Sequence, residues 1–98
     1  MSYLVFCVFE LKSANREDRL YAYMDLAALG LRRIVKSESG PGFKLPATAV
    51  MGMFDGHTVD EVSTLVGTKV KGAFDARGLH ADFFVVVSGD WACAGESM

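Results

Sequence analysis

No apolar run in this chain approaches the roughly 20 residues that a membrane-spanning helix needs, so no spanning segment is expected. Cysteine is scarce: Cys7 and Cys93 stand alone, without a Cys-x-x-Cys spacing or a framework of four or more. That sets aside a disulfide scaffold, and reduced, buried thiols in a cytoplasmic protein are the expectation. A basic excess is also missing. The formal net charge is -2, so polyanions feel no general attraction and nucleic acid would need a local basic patch. Gly67-Thr68-Lys69 lacks the upstream glycine of a phosphate-binding loop and lies inside a helical pattern. Gly40-Pro41-Gly42 precedes a strand rather than a helix, which excludes a dinucleotide fingerprint. The apolar run from Tyr3 to Phe9 has no basic residue before it and no small-residue cleavage site after it, so it reads as a strand, not a signal peptide. Low-complexity stretches and linkers are absent.

What is present is a globular composition, 51% hydrophobic and 22% charged over 98 residues, the size of one domain with one core. Its pattern repeats. The strand-like run Tyr3 to Phe9 leads into a helical stretch that ends at Gly30-Leu31, followed by a short strand at Ile34-Val35. A second run, Ala47 to Phe54, leads into a helical stretch that ends at Gly78-Leu79, followed by a strand from about Ala81 to Val87. Two β-α-β units in one short chain predict an α+β, ferredoxin-like βαββαβ sandwich. Its antiparallel sheet would have the order 4-1-3-2 and both helices on one face, within a single domain spanning 1–98.

Asn15 is the expected N-cap of the first helix, with Glu17 and Asp18 in its first turn. Leu20, Met24, Ala27 and Ala28, broadened by Tyr23, are expected to form its buried stripe. Thr58 and Glu61 form a Thr-x-x-Glu capping box ahead of the second helix, about Val59 to Ala76. Val62, Val66, Val70, Ala73 and Phe74 mark that helix's buried side. Ser37 to Lys44 reads as a loop, and Gly52 within the third strand predicts a bulge or a close backbone approach. The first strand is apolar on both faces while the helices cover one. A homodimer through the open sheet face is the expected remedy. The tail from Ser88 onward, with Trp91, would fold across that face or add an edge strand.

The predicted topology gathers Glu10, Lys12, Lys36, Ser37, Glu38, Thr48, His80 and Asp82 at one sheet edge. Glu10, at the end of a central strand, is the candidate metal ligand and catalytic carboxylate. In a two-fold dimer two copies of Glu10 would share one ion; the plainer reading pairs Glu10 with Lys12 or Lys36. Arg16, Arg19, Arg32, Arg33 and Lys36 are the candidate phosphate contacts, against the plainer reading of a solvated charged face. His57 reads as a turn residue before the second helix, His80 as a surface histidine or a base near Glu10, and Cys7 as core rather than nucleophile.

The stretch Phe9-Glu10-Leu11, then Arg16, Arg19-Leu20 and Gly30-Leu31-Arg32-Arg33-Ile34, resembles the opening of the small CRISPR-associated ferredoxin-fold endonucleases. Those proteins place an Asp where this chain has Glu10. The segment Lys44-Leu45-Pro46-Ala47-Thr48-Ala49-Val50 looks more like the antitoxin ribonuclease GhoS of toxin–antitoxin systems. The specific motif covers about the first third of the chain. The resemblance implies a dimeric, metal-dependent endoribonuclease-like protein acting on RNA, with Glu10 holding Mg²⁺ or Mn²⁺ and Arg16, Arg19, Arg32 and Arg33 contacting phosphates. A non-catalytic dimeric interaction or ligand-binding module is the alternative from another class.

Overall fold

The computed structural model describes residues 1–12, 15–35, 43–45 and 48–91. Along them run β1 (Ser2–Leu11), α1 (Arg16–Ala28), β2 (Ile34–Val35), β3 (Phe43–Lys44), β4 (Ala49–Asp55), α2 (Val59–Arg77) and β5 (Ala81–Ser88). The fold is α+β: a three-stranded antiparallel sheet in the order β4-β1-β5, joined by two helices. β1 alternates strictly. Tyr3, Val5, Cys7 and Phe9 are buried in one cluster with Ala22 and Leu26 of α1 and Val62, Val66, Val70 and Phe74 of α2. The opposite positions, Leu4, Phe6 and Val8, are only half-buried. Period-two alternation thus sends one set toward the helices and leaves the other on an open face.

The segment expected as the second strand, at the edge of this sheet, behaves differently. Ile34–Val35 pairs with Phe43–Lys44 in a separate two-stranded ribbon, so part of the expected loop is the strand β3. Among the described residues it approaches the main sheet through one bridge, Arg32 to Met51, whose amides and carbonyls exchange two bonds of 2.9 Å. Ala47 and the tail beyond Trp91 lie outside the described residues.

Both helices end in the same device, for which the two Gly-Leu pairs were the signal. Gly30 sits at φ +101° and Gly78 at φ +70°. The Leu31 and Leu79 amides donate to the carbonyls of Leu26 and Phe74, and the Gly30 and Gly78 amides to those of Ala27 and Asp75. These are the paired bonds of a Schellman motif, in which a positive φ costs glycine nothing. At the N-termini the complete capping box belongs to α1: the Asn15 side chain accepts from the Asp18 amide, and Asp18 accepts from the Asn15 amide. At α2, Thr58 Oγ1 accepts from the Glu61 amide at 3.1 Å, the first of the two bonds expected there.

The buried face of α2 is the expected one, with Ala73 half-buried beside it. The expected face of α1 is corrected. Ala22 and Leu26 are buried, whereas Leu20 and Met24 are 53% and 64% exposed. α1 carries apolar side chains all round its axis, so two stripes compete, and the smaller Ala22 permits the closer approach to the sheet.

The helices are fastened to each other by Arg77, whose guanidinium makes two bonds to the Asp25 carboxylate (2.8 and 3.0 Å) and stacks over the Tyr21 ring at 4.5 Å. The hydrogen bonds from Arg77 hold Asp25 below the ordinary carboxylate range. A lowered folded-state value means that this contribution is complete above the unfolded carboxyl's value and fades as pH falls through the folded one. Arg77→Ala is therefore expected to lower the thermal midpoint at neutral pH and to lower it less in strong acid, where only the stack on Tyr21 remains to be lost, as read by circular dichroism. Among the described residues no helix is long and apolar enough to cross a membrane.

Candidate functional site at the Glu10 sheet edge

β1 and β5 run in a register that sets Val8 opposite Phe84 and Glu10 opposite Asp82. Two carboxylates therefore face each other across adjacent strands, an arrangement that destabilises a sheet by a few tenths of a kcal/mol or more. The Phe9 amide donates to the Thr48 carbonyl at 2.9 Å, drawing the start of β4 to the same edge. Glu10, Thr48 and Asp82 rim an open cleft of about 510 Å³, with Val8, Phe9, Phe83 and Phe84 among its walls. Polar groups at one end of an apolar cleft are the usual form of a small binding site.

Lys12 Nζ lies 3.2 Å from Asp82, with both side chains mostly exposed. Lys12 thus pairs with Asp82 rather than with Glu10, which makes no ion pair among the described residues. An exposed pair of this kind contributes about 0–1 kcal/mol and yields readily to a competing ligand. The Lys12 amide donates to the His80 carbonyl at 2.8 Å, so His80 stands at the same edge. Of the residues expected there, Glu10, Lys12, Thr48, His80 and Asp82 are brought together; Lys36, Ser37 and Glu38 lie outside the described residues.

The five candidate cations divide. Arg16 and Arg19 are exposed on the first turn of α1, which starts a few residues beyond the end of β1. Arg32 is exposed but bridges to Met51, which pairs with Phe6 further along the sheet. Arg33 is engaged in structure: its guanidinium lies 4.4 Å over the Tyr23 ring, one terminal nitrogen donates to the Leu45 carbonyl at 3.5 Å, and Nε is buried with no hydrogen-bond partner among the described residues. Lys36 is outside the described residues.

His57 sits at the other end of the sheet, where its carbonyl accepts the Tyr3 hydroxyl at 3.1 Å. Among the described residues no three His, Cys, Asp or Glu side chains converge on a possible ion. Cys7 is fully buried, and burial pushes its thiol up to about 11, well away from a nucleophilic thiolate. Iodoacetamide at pH 8 is expected to leave Cys7 unmodified in the folded protein and to alkylate it in denaturant; peptide mass spectrometry reads both.

Around the edge of β5, on the helix side, is a second cleft of about 380 Å³ that includes Lys12, Lys71, Leu79, His80 and Phe83. Lys71 is the residue that sequence reasoning missed, because a lysine on a helix carries no signal until the sheet edge is placed beside it. Searches against protein-family profiles, curated proteins and solved structures find no match to this chain.

Proposed function

We propose that the protein is a dimeric nucleic-acid-processing protein, in particular a metal-dependent endoribonuclease-like protein of the CRISPR-associated or toxin–antitoxin kind, with its reaction centre at Glu10. The observation that carries this reading is the opposition of Glu10 and Asp82 at the rim of a cleft, a like-charge pair that sheet stability alone disfavours. The finer description of the fold as a ferredoxin-like βαββαβ sandwich belongs to the same proposal. It is supported by the β4-β1-β5 order and by the Arg32–Met51 bridge, which sets the chain leading into β2 beside β4.

Carboxylate oxygens are the donors that Mg²⁺ and Mn²⁺ take. One protomer offers two here, short of a full set, so the fit depends on a second copy. The open face supplies the reason for one. Leu4, Phe6 and Val8 are half-buried, while Met53, Val86 and Phe84 are 52%, 46% and 65% exposed on the same side of the sheet. A contiguous apolar face of this kind marks an interaction surface. A two-fold axis near its Glu10 end would bring two Glu10–Asp82 pairs together. A bound divalent ion would supply charge neutralisation at a phosphodiester. Glu10 and Asp82 would hold it, and Arg16 and Arg19 would contact flanking phosphates.

Labelled single-stranded RNA is the test substrate, with Mg²⁺, Mn²⁺ or EDTA. Cleavage is expected to need the metal and to fall at least about a hundredfold in Glu10→Gln, with the protein's mass in solution unchanged. Cleavage that survives the substitution would refute the assignment. The non-catalytic interaction module is the second reading, favoured by the same exposed Phe84 and Val86. It predicts a dimer with no cleavage under any metal.

A further inference from the structure

The second cleft lies on the helix side of the sheet edge whose open side carries Glu10, and Phe83 lines both. Its inner wall is apolar: Phe74 is buried, and Leu79 and Phe83 are half-buried within it. Its rim carries Lys12, Lys71 and His80, all exposed, together with the acid Asp75. An apolar wall of these dimensions beside several N–H donors suits a flat heterocycle joined to a phosphate.

We infer that this cleft holds one nucleotide of a single strand, its base against Phe83 and Leu79 and its phosphate at Lys12, Lys71 and His80. Each lysine has a resident acid. Lys71 Nζ is 2.7 Å from Asp75, four residues along α2, and Lys12 is 3.2 Å from Asp82. Both pairs are exposed and therefore weak, so a phosphate displaces the carboxylates instead of meeting a neutralised surface. The acids hold the lysines in place, and a phosphodiester, which carries one negative charge as each carboxylate does, takes over from them one for one. The inference deepens the proposed function, on which it rests. A strand seated here passes the first residues of β5 and arrives at the Glu10 cleft with its next phosphodiester.

The test is binding without turnover, by fluorescence anisotropy of a labelled uridine octanucleotide in EDTA. Lys71→Ala and Asp75→Ala remove the same helical ion pair, so a structural role moves both variants in one direction. The inference requires opposite directions: Lys71→Ala weakens binding about fivefold and Asp75→Ala tightens it by a similar factor. The slope of log affinity against log salt should also fall by about 0.7 in Lys71→Ala. A deoxyuridine octamer run in parallel identifies the strand: equal binding assigns either sugar, preference for the ribose form assigns RNA. No change in either variant, or weakening in both, overturns the subsite. Because the assay contains no metal, its result is independent of Glu10. Intact binding together with absent cleavage would reject the nuclease reading and keep the nucleotide subsite.

Discussion

Gly52→Ala is expected to destabilise the protein by at least about 3 kcal/mol and to lower its melting temperature by more than about 12 °C. A Cβ at Gly52 would lie 2.0 Å from the Gly30 carbonyl oxygen and 3.0 Å from its carbon. The obstacle is backbone, at a residue whose φ of +101° fixes the end of α1, so no side-chain rotation relieves it. The variant must either part α1 from β4 or break the Schellman turn. Gly72→Ala is the matching control. Gly72 lies within α2, and a Cβ there meets nothing within 4 Å. Alanine at that position should raise stability by roughly 0.5–1 kcal/mol through helix propensity. Thermal melts of the two variants should thus shift in opposite directions; a Gly52→Ala protein that melts with the wild type would contradict the packing described for α1 on β4.

Gly52 also shows how far the sequence could be read. A glycine inside an apolar strand predicts a bulge or a close backbone approach, and of the two the structure has the approach. What approaches is the turn after α1, and that depends on the register between a helix end and a strand, which no local pattern encodes. Where a signal is local the reading was sound: the two Gly-Leu endings, the Asn15 and Thr58 caps, the alternation of β1 and the valine stripe of α2. Where competing patterns overlap it failed. Leu20 and Met24 have the right spacing for a buried face, yet Ala22 and Leu26 occupy it. The separate pairing of β2 with β3 was invisible because two-residue strands have no period. At the candidate site the position of Glu10 at a strand end was legible, and the topology placed Asp82 at the same edge. Their direct opposition, and the pairing of Lys12 with Asp82, required the β1–β5 register.

Phe84→Glu is the substitution expected to act most strongly on assembly. Phe84 is 65% exposed, lies opposite Val8, and points away from the helices into the open face. A carboxylate there leaves the helix-side core untouched, so the chain should still fold, with its melting temperature lowered only by the stabilisation that dimerisation adds. In the proposed dimer the same carboxylate is buried against an apolar surface without a partner, a penalty of at least about 3 kcal/mol. Light scattering after size exclusion should change from twice the 10.6 kDa chain mass to the chain mass alone. A variant that keeps the doubled mass would remove the open face from the interface, and with it the pairing of two Glu10 clefts.

In the proposed dimer two copies of Glu10 hold one divalent ion between them. Manganese binding followed by electron paramagnetic resonance counts that ion directly. One Mn²⁺ per two chains is predicted for the wild type, with none retained by Glu10→Gln and none by the monomeric Phe84→Glu. One ion per chain that persists in both variants, or no ion in the wild type, would contradict it.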